Sequence, residues 1–493
     1  MSVSAQRTDA KANTGVAGLD DILGGGFPRD RVYLLQGDPG VGKTTLALQF
    51  LLAGAARGET CLYVTLSETR EELEDVARSH GWSLAPLALF EFHSAEPPDD
   101  DENTLFHPSE VELAETTQTL LDEIVRVKPS RVVIDSLSEI RLLSQSALRY
   151  RRQVLGLKQF FSGRGCTVLL LDDRTSEPGD LQLQSVVHGV VTLEQLAPLY
   201  GSERRRLRVL KLRGVRFRGG FHDFVLVTGG IKVFPRLVAA EHRPGFEHAQ
   251  LSCGVPALDA LVGGGIDRGT STLLMGPAGT GKSTVAMLYA KAAAQCGLRV
   301  AVFTFDESTA TMVARSKGVS LDLRPELESG AIEVRQIDPA ELTPGEFAHA
   351  VREAVEERGV RLVVIDSLNG YMHAMPEEHF LTLQLHELLT YLGQMGVITM
   401  MVVAQHGFVG PMQSPVDVSY LADSVVVLRH FEADGRLRKA ISMVKRRTGK
   451  HESSIRELLI DAAGVHVGEA LEDLRGLMTG VPSPNPDGKD EGP

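Results

Sequence analysis

The chain carries the pattern Gly-x4-Gly-Lys-Ser/Thr twice. The first copy is Gly37-Asp38-Pro39-Gly40-Val41-Gly42-Lys43-Thr44 and the second is Gly276-Pro277-Ala278-Gly279-Thr280-Gly281-Lys282-Ser283. Each follows a short apolar run and leads into helix formers that begin with Thr45 or Thr284. The glycines let the backbone wrap a phosphate chain with its N–H groups turned inward. The lysine neutralises phosphate oxygens, and the hydroxyl of Thr44 or Ser283 is placed to hold Mg2+. The helix that follows adds the positive end of its dipole.

The repeat extends well beyond the loops. Gly15 pairs with Gly254, Asp20 with Asp259, Lys43 with Lys282 and Glu68 with Glu307, all at one offset. Further on, Asp135 pairs with Asp366 and Lys211 with Lys445 at slightly smaller offsets, as loop-length changes produce. The chain is a duplication of one domain. Short apolar runs such as RVYLLQG, CLYVTLS, RVVIDSL and TVLLLDD read as buried parallel strands. Longer amphipathic stretches, TTLALQFLLAGAARG and SEVELAETTQTLLDEIVRV, read as covering helices. The expected fold is α/β: two tandem RecA-like P-loop domains, each a mostly parallel twisted sheet with helices on both faces. The expected boundaries are a flexible tail over 1–13, domains over 14–238 and 251–475, a linker over 239–250 and a disordered tail over 476–493. The acidic stretch EPPDDDEN (96–103) reads as a solvated loop.

No apolar run approaches the ~20 residues that span a bilayer, and the polar N-terminus lacks a signal-peptide core. The expected location is the cytoplasm. Cys61, Cys166, Cys253 and Cys296 are scattered without metal-ligand spacing and read as ordinary thiols. The formal net charge of −13 argues against nucleic acid as a partner.

Three further groups carry chemistry. Asp135 and Asp366 each end a hydrophobic strand, where a carboxylate can hold a Mg2+-bound water. Ser67-Glu68 and Asp306-Glu307 follow the next strand, where Glu68, Asp306 and Glu307 are placed to polarise an attacking water. They also suit the start of a helix, where acidic residues are favoured. Late in each repeat stand Lys211-Leu-Arg213 and Lys445-Arg-Arg447. Residues i and i+2 share one strand face, so Lys211 with Arg213, and Lys445 with Arg447, can reach the phosphate of a neighbouring subunit. A solvated edge strand defended by charge is the plainer reading, and RRRLRVLKLRGVRFR would also suit a nucleic-acid strip.

Taken together, G[LV]-x-x-LD-x-x-x-GGG before each P-loop, the acidic pair, IDS at the metal strand and the late KLRG or KRR resemble the KaiC family over roughly residues 14–480. The resemblance implies double-ring homo-hexamers with ATP and Mg2+ at subunit interfaces, slow hydrolysis and, in some members, autophosphorylation in the C-terminal half. It also implies KaiB-like or signalling partners. The autophosphorylation segment corresponds to PVDVSYLADS (415–424), which keeps Ser419 but has Tyr420 where the family has threonine. A two-step serine/threonine cycle is therefore not expected, and Ser414 is a weaker spare acceptor. Gln405 corresponds to the γ-phosphate-sensing amide of RecA-type ATPases. Ser67 stands where a second acid is usual, so the first half is expected mainly to assemble the ring and the second to carry the faster chemistry. The competing expectations are a DNA-dependent RecA/RadA relative and an ATP-assembled scaffold with little turnover.

Overall fold

The computed structural model describes residues 11–92, 108–174, 180–198, 201–242, 244–373, 381–405, 419–477 and 483–484. It divides into two compact units, Met1–Arg236 and Leu237–Pro493. Each unit has, among the described residues, one nine-stranded sheet.

In the first unit the parallel part runs, in spatial order, through Ala88–Glu91, Cys61–Thr65, Arg131–Asp135, Thr167–Asp173, Val32–Gly37 and Gly189–Leu196. Arg204–Leu212, Phe221–Val227 and Gly230–Phe234 extend it in antiparallel register. The second unit repeats this order: Ile332–Gln336, Arg299–Thr304, Val360–Asp366, Ile398–Ala404, Ser271–Gly276 and Ser424–Ala433 are parallel. Arg436–Arg446, Ile455–Asp461 and Gly464–Ala470 follow antiparallel.

The strand preceding each P-loop is buried at every position, because helices cover both sheet faces. In the first unit Leu35, Tyr63 and Val133 pack on one face, and Leu34, Val64 and Ile134 on the other. The second unit likewise has a core on each face. The tandem RecA-like architecture read from the duplicated motifs is the one observed. The runs around TTLALQ and VELAETT form the helices Lys43–Ala55 and Pro108–Val127.

The segment ends differ from the expected ones. Lys11–Ala12 pairs with Phe27–Pro28, and Ala12 is fully buried, so the N-terminal tail is ordered from there. Ala239, expected in a linker, is buried in the second unit, where its N–H donates to Glu387. At the far end Leu477 packs against Phe431 and Ala440, and Ser483–Pro484 pairs with Leu474–Arg475. Ala12, Ala239 and Leu477 each bury an apolar side chain, and Ser483–Pro484 adds only a short strand pair. The acidic loop 96–103 and most of the C-terminal tail lie outside the described residues. No helix among those described is long and apolar enough to cross a membrane. All four cysteines are free thiols, with Cys61, Cys166 and Cys253 buried and Cys296 exposed.

Candidate nucleotide sites

Because the central strands are parallel, their C-terminal ends share one sheet edge, and the loops after them converge there. Both P-loop helices begin at a glycine in the left-handed region, Gly42 at φ 111° and Gly281 at φ 102°. Neither helix has a side-chain cap. Their first-turn N–H groups thus stay open to an anion. Neighbouring helices are closed by Thr69 with Glu72, and by Ser308. A Cβ on Gly281 would lie 2.2 Å from Ile460 Cδ1 and push that side-chain end aside, but the left-handed backbone is what favours glycine there.

In the first unit the Thr44 hydroxyl donates to Asp135 Oδ2 at 3.1 Å, and the Tyr63 hydroxyl donates to the same oxygen. Burial pushes the Asp135 carboxyl up from its ordinary range, against the pull of these hydroxyls. Lys43 Nζ donates to the Gly37 and Asp38 carbonyls (2.9 and 3.0 Å) and pairs with Asp173 Oδ1 at 2.8 Å. Glu68 is fixed through its backbone. Its N–H donates to Thr65 Oγ1 at 2.9 Å, and its carbonyl accepts from that hydroxyl at 2.7 Å. Its carboxylate Oε2 is buried without a partner. Burial first, then Asp135 and Glu72, push Glu68 up to about 7, with Lys43 acting against them.

The second unit repeats the frame with different contacts. Ser283 bonds Asp366, whose carboxyl is pushed up by burial. Lys282 Nζ donates to the Pro277 carbonyl at 2.7 Å, and burial lowers its ammonium to about 8 while Asp366 opposes the shift. Asp306 Oδ2 accepts from the Ser367 hydroxyl at 2.5 Å. Both oxygens of Glu307 are held by Arg315, at 2.9 and 3.1 Å. Arg315 also donates to Thr284 Oγ1 at 3.1 Å.

The hydroxyl–carboxylate pairs Thr44–Asp135 and Ser283–Asp366 are hard oxygen donors, the set that suits Mg2+ held together with phosphate and water. No cluster of three or more His, Cys, Asp or Glu able to hold a metal occurs among the described residues.

The late basic residues stand apart from the carboxylates just described. Lys211 donates to the Gln184 and Ser185 carbonyls and Arg213 to Ser185. Lys445 donates to the carbonyls of Ser419 and Ala422, and Arg447 to Tyr420. Lys211 and Lys445 pair on one side only, beyond the stretches Arg205–Arg208 and Ala440–Ser442 that meet the outer neighbour, and Arg213 and Arg447 lie just past the strand ends. Ser419 is half-buried and Tyr420 is exposed. Ser414 lies outside the described residues. Gln405 sits beside the second P-loop, its N–H on the Gly276 carbonyl and its Oε1 buried without a partner. Arg174 takes the corresponding place beside Gly37. Sequence reasoning missed Tyr63, Asp173, Ser367 and Arg315. Their signal was faint: Tyr63 is one more apolar-strand residue, and Arg315 lies eight residues past Glu307.

Two phosphate loops on RecA-like sheets, each hydroxyl facing a buried strand-end aspartate, define a tandem P-loop ATPase. The sequence model of the KaiC ATPase family matches residues 12–238 and again 251–472. The chain belongs to that family and is an ATPase. It is similar to the circadian clock protein KaiC3 of Synechocystis sp. PCC 6803, 26% identical over 487 residues, covering 97% of this chain and 96% of that one. It is also similar to the circadian clock oscillator protein KaiC of Synechococcus elongatus, 26% identical over 491 residues, with 97% and 93% covered. The oscillator protein KaiC of Parathermosynechococcus lividus is 27% identical over 493 residues, with 98% and 90% covered.

Proposed function

We propose that the protein works in the cytoplasm as a KaiC-like double-ring homo-hexamer that hydrolyses Mg·ATP slowly at subunit interfaces and serves as a signalling or timing switch. The observation that carries this reading is the repeated frame. An open helix N-terminus, a buried lysine and a hydroxyl–aspartate pair recur in both halves, with a carboxylate at the next strand end.

In this reading the open N–H groups with Lys43 or Lys282 bind the phosphates. Thr44 with Asp135, and Ser283 with Asp366, hold Mg2+, which neutralises phosphate oxygens when bound. Ionised Glu68 orients the attacking water in the first half and accepts its proton. In the second half the acidic pair Asp306 and Glu307 stands at the matching place. The unpaired Glu68 oxygen supports hydrolysis in the first half as well as assembly, against the division of labour expected from Ser67. In the ring, Lys211, Arg213, Lys445 and Arg447 leave their own carbonyls and reach the neighbour's phosphate.

Ser419 is the acceptor of a phosphoryl group. Its hydroxyl oxygen bonds the γ-phosphorus, the bond to the bridging oxygen breaks, ADP leaves, and the hydroxyl proton passes to the acidic pair. A KaiB-like or other signalling protein reads the ring. The test is mass spectrometry of the full chain after incubation with Mg·ATP, with phosphosite mapping and native mass. Six chains per particle, and a Ser419 phosphate absent from Lys282→Ala, support the reading. Accumulating ADP with no phosphate removes the autokinase step.

A further inference from the structure

At the offset that pairs Glu68 with Glu307, the partner of Arg315 is Val76. Val76 packs against the core of the first unit and offers Glu68 nothing polar. Arg315 stands on the helix Thr309–Gly318, about two turns beyond Glu307, on the face that looks back toward it. Its guanidinium takes both Glu307 oxygens and a third bond from the same group reaches Thr284, in the first turn of the P-loop helix. A bidentate arginine–carboxylate pair is among the stronger charge-assisted contacts, with fixed direction. Each Glu307 oxygen already accepts one Arg315 N–H, although the side chain stays 25% exposed. Asp306, one residue earlier, is exposed and accepts only the Ser367 hydroxyl among its described contacts.

We propose that Arg315 is a positioning residue of the second ATP site, clamping Glu307 to the P-loop helix so that Asp306 alone of the acidic pair is free to polarise water. The clamp has no counterpart in the first half, so it is a brake on one of the two sites. The inference rests on the reading that the second half hydrolyses ATP.

The test uses the full chain carrying Glu68→Gln, which silences the first site, with ADP release measured against Mg·ATP concentration. Arg315→Ala is expected to raise kcat roughly three- to tenfold, a small part of what a freed general base can supply, with KM little changed. Adding Glu307→Gln to Arg315→Ala cancels the gain. Arg315→Lys keeps the charge but can hold only one Glu307 oxygen, and gives an intermediate rise; it serves if the alanine variant does not assemble. A fall in kcat with Arg315→Ala and Arg315→Lys overturns the proposal, since Arg315 would then aim Glu307 productively. So does a gain that survives Glu307→Gln. Turnover insensitive to Lys282→Ala in the same background overturns the underlying reading too, and is distinguished by that control.

Discussion

The first P-loop lysine is already engaged. Lys43 pairs with Asp173 at 2.8 Å, with the lysine side chain 10% exposed and the aspartate 39% exposed. A phosphate chain entering the loop must take Lys43 from that carboxylate. The Asp173→Asn variant removes the competing charge and keeps the side-chain shape. Because Asp173 is more than a third exposed, solvent screening limits the pair to about 0.5–1 kcal/mol. That corresponds to roughly two- to fivefold tighter nucleotide binding at the first site. Among the described residues the second site shows no such pair: Ala404 ends the matching strand, and Lys282 donates to the Pro277 carbonyl. The assay is titration with a fluorescent ATP analogue and Mg2+ in the Lys282→Ala background, with Lys43→Ala as the converse. Weaker binding by Asp173→Asn would refute the reasoning, because Asp173 would then assist the bound state.

Other perturbations have defined outcomes. Arg131 is fully buried and its guanidinium bonds Glu59, Asn13 and the Phe50 carbonyl. Glu59→Ala strands that charge and should destabilise the first unit by about 3–5 kcal/mol, read by denaturant unfolding. Despite burial, Arg29 and Arg131 pull Glu59 down to about 2. Its contribution is therefore complete above the ordinary carboxylate range and fades as pH falls toward 2, so the wild type's advantage over Glu59→Gln should shrink in acid. Turnover at the first site, isolated with Lys282→Ala, should rise with pH through about 7, since Glu68 must lose its proton to act as base. A flat profile between pH 6 and 8 would exclude Glu68 from that role. Gly281→Ala meets both a left-handed backbone and Ile460, and should abolish nucleotide binding by the second half alone.

The fold was legible because duplication displays every buried strand and both P-loops twice, in register. Asp135 and Asp366 were legible for the same reason: each closes an apolar run. What the sequence concealed is what differs between the halves. Val76 and Arg315 are ordinary helix residues until the folded helix points one of them at Glu307. Asp173 lies far along the chain from Lys43 and meets it only because its strand neighbours the one that leads into the P-loop. Composition suggested loose termini, yet Ala12 and Leu477 are buried, because a single apolar side chain near a core suffices to tie down a few residues. The identical spacing of the late basic pairs gave no hint that their cations rest on carbonyls of their own chain.

The measurement to make first is steady-state ADP release by four full-length proteins: wild type, Glu68→Gln, Asp306→Asn with Glu307→Gln, and the chain with all three changes. Two separate hydrolytic sites predict a partial loss in each of the middle two and complete loss in the last. Abolition by either set alone, or turnover that persists with all three changes, would contradict a chain with two working ATPase halves.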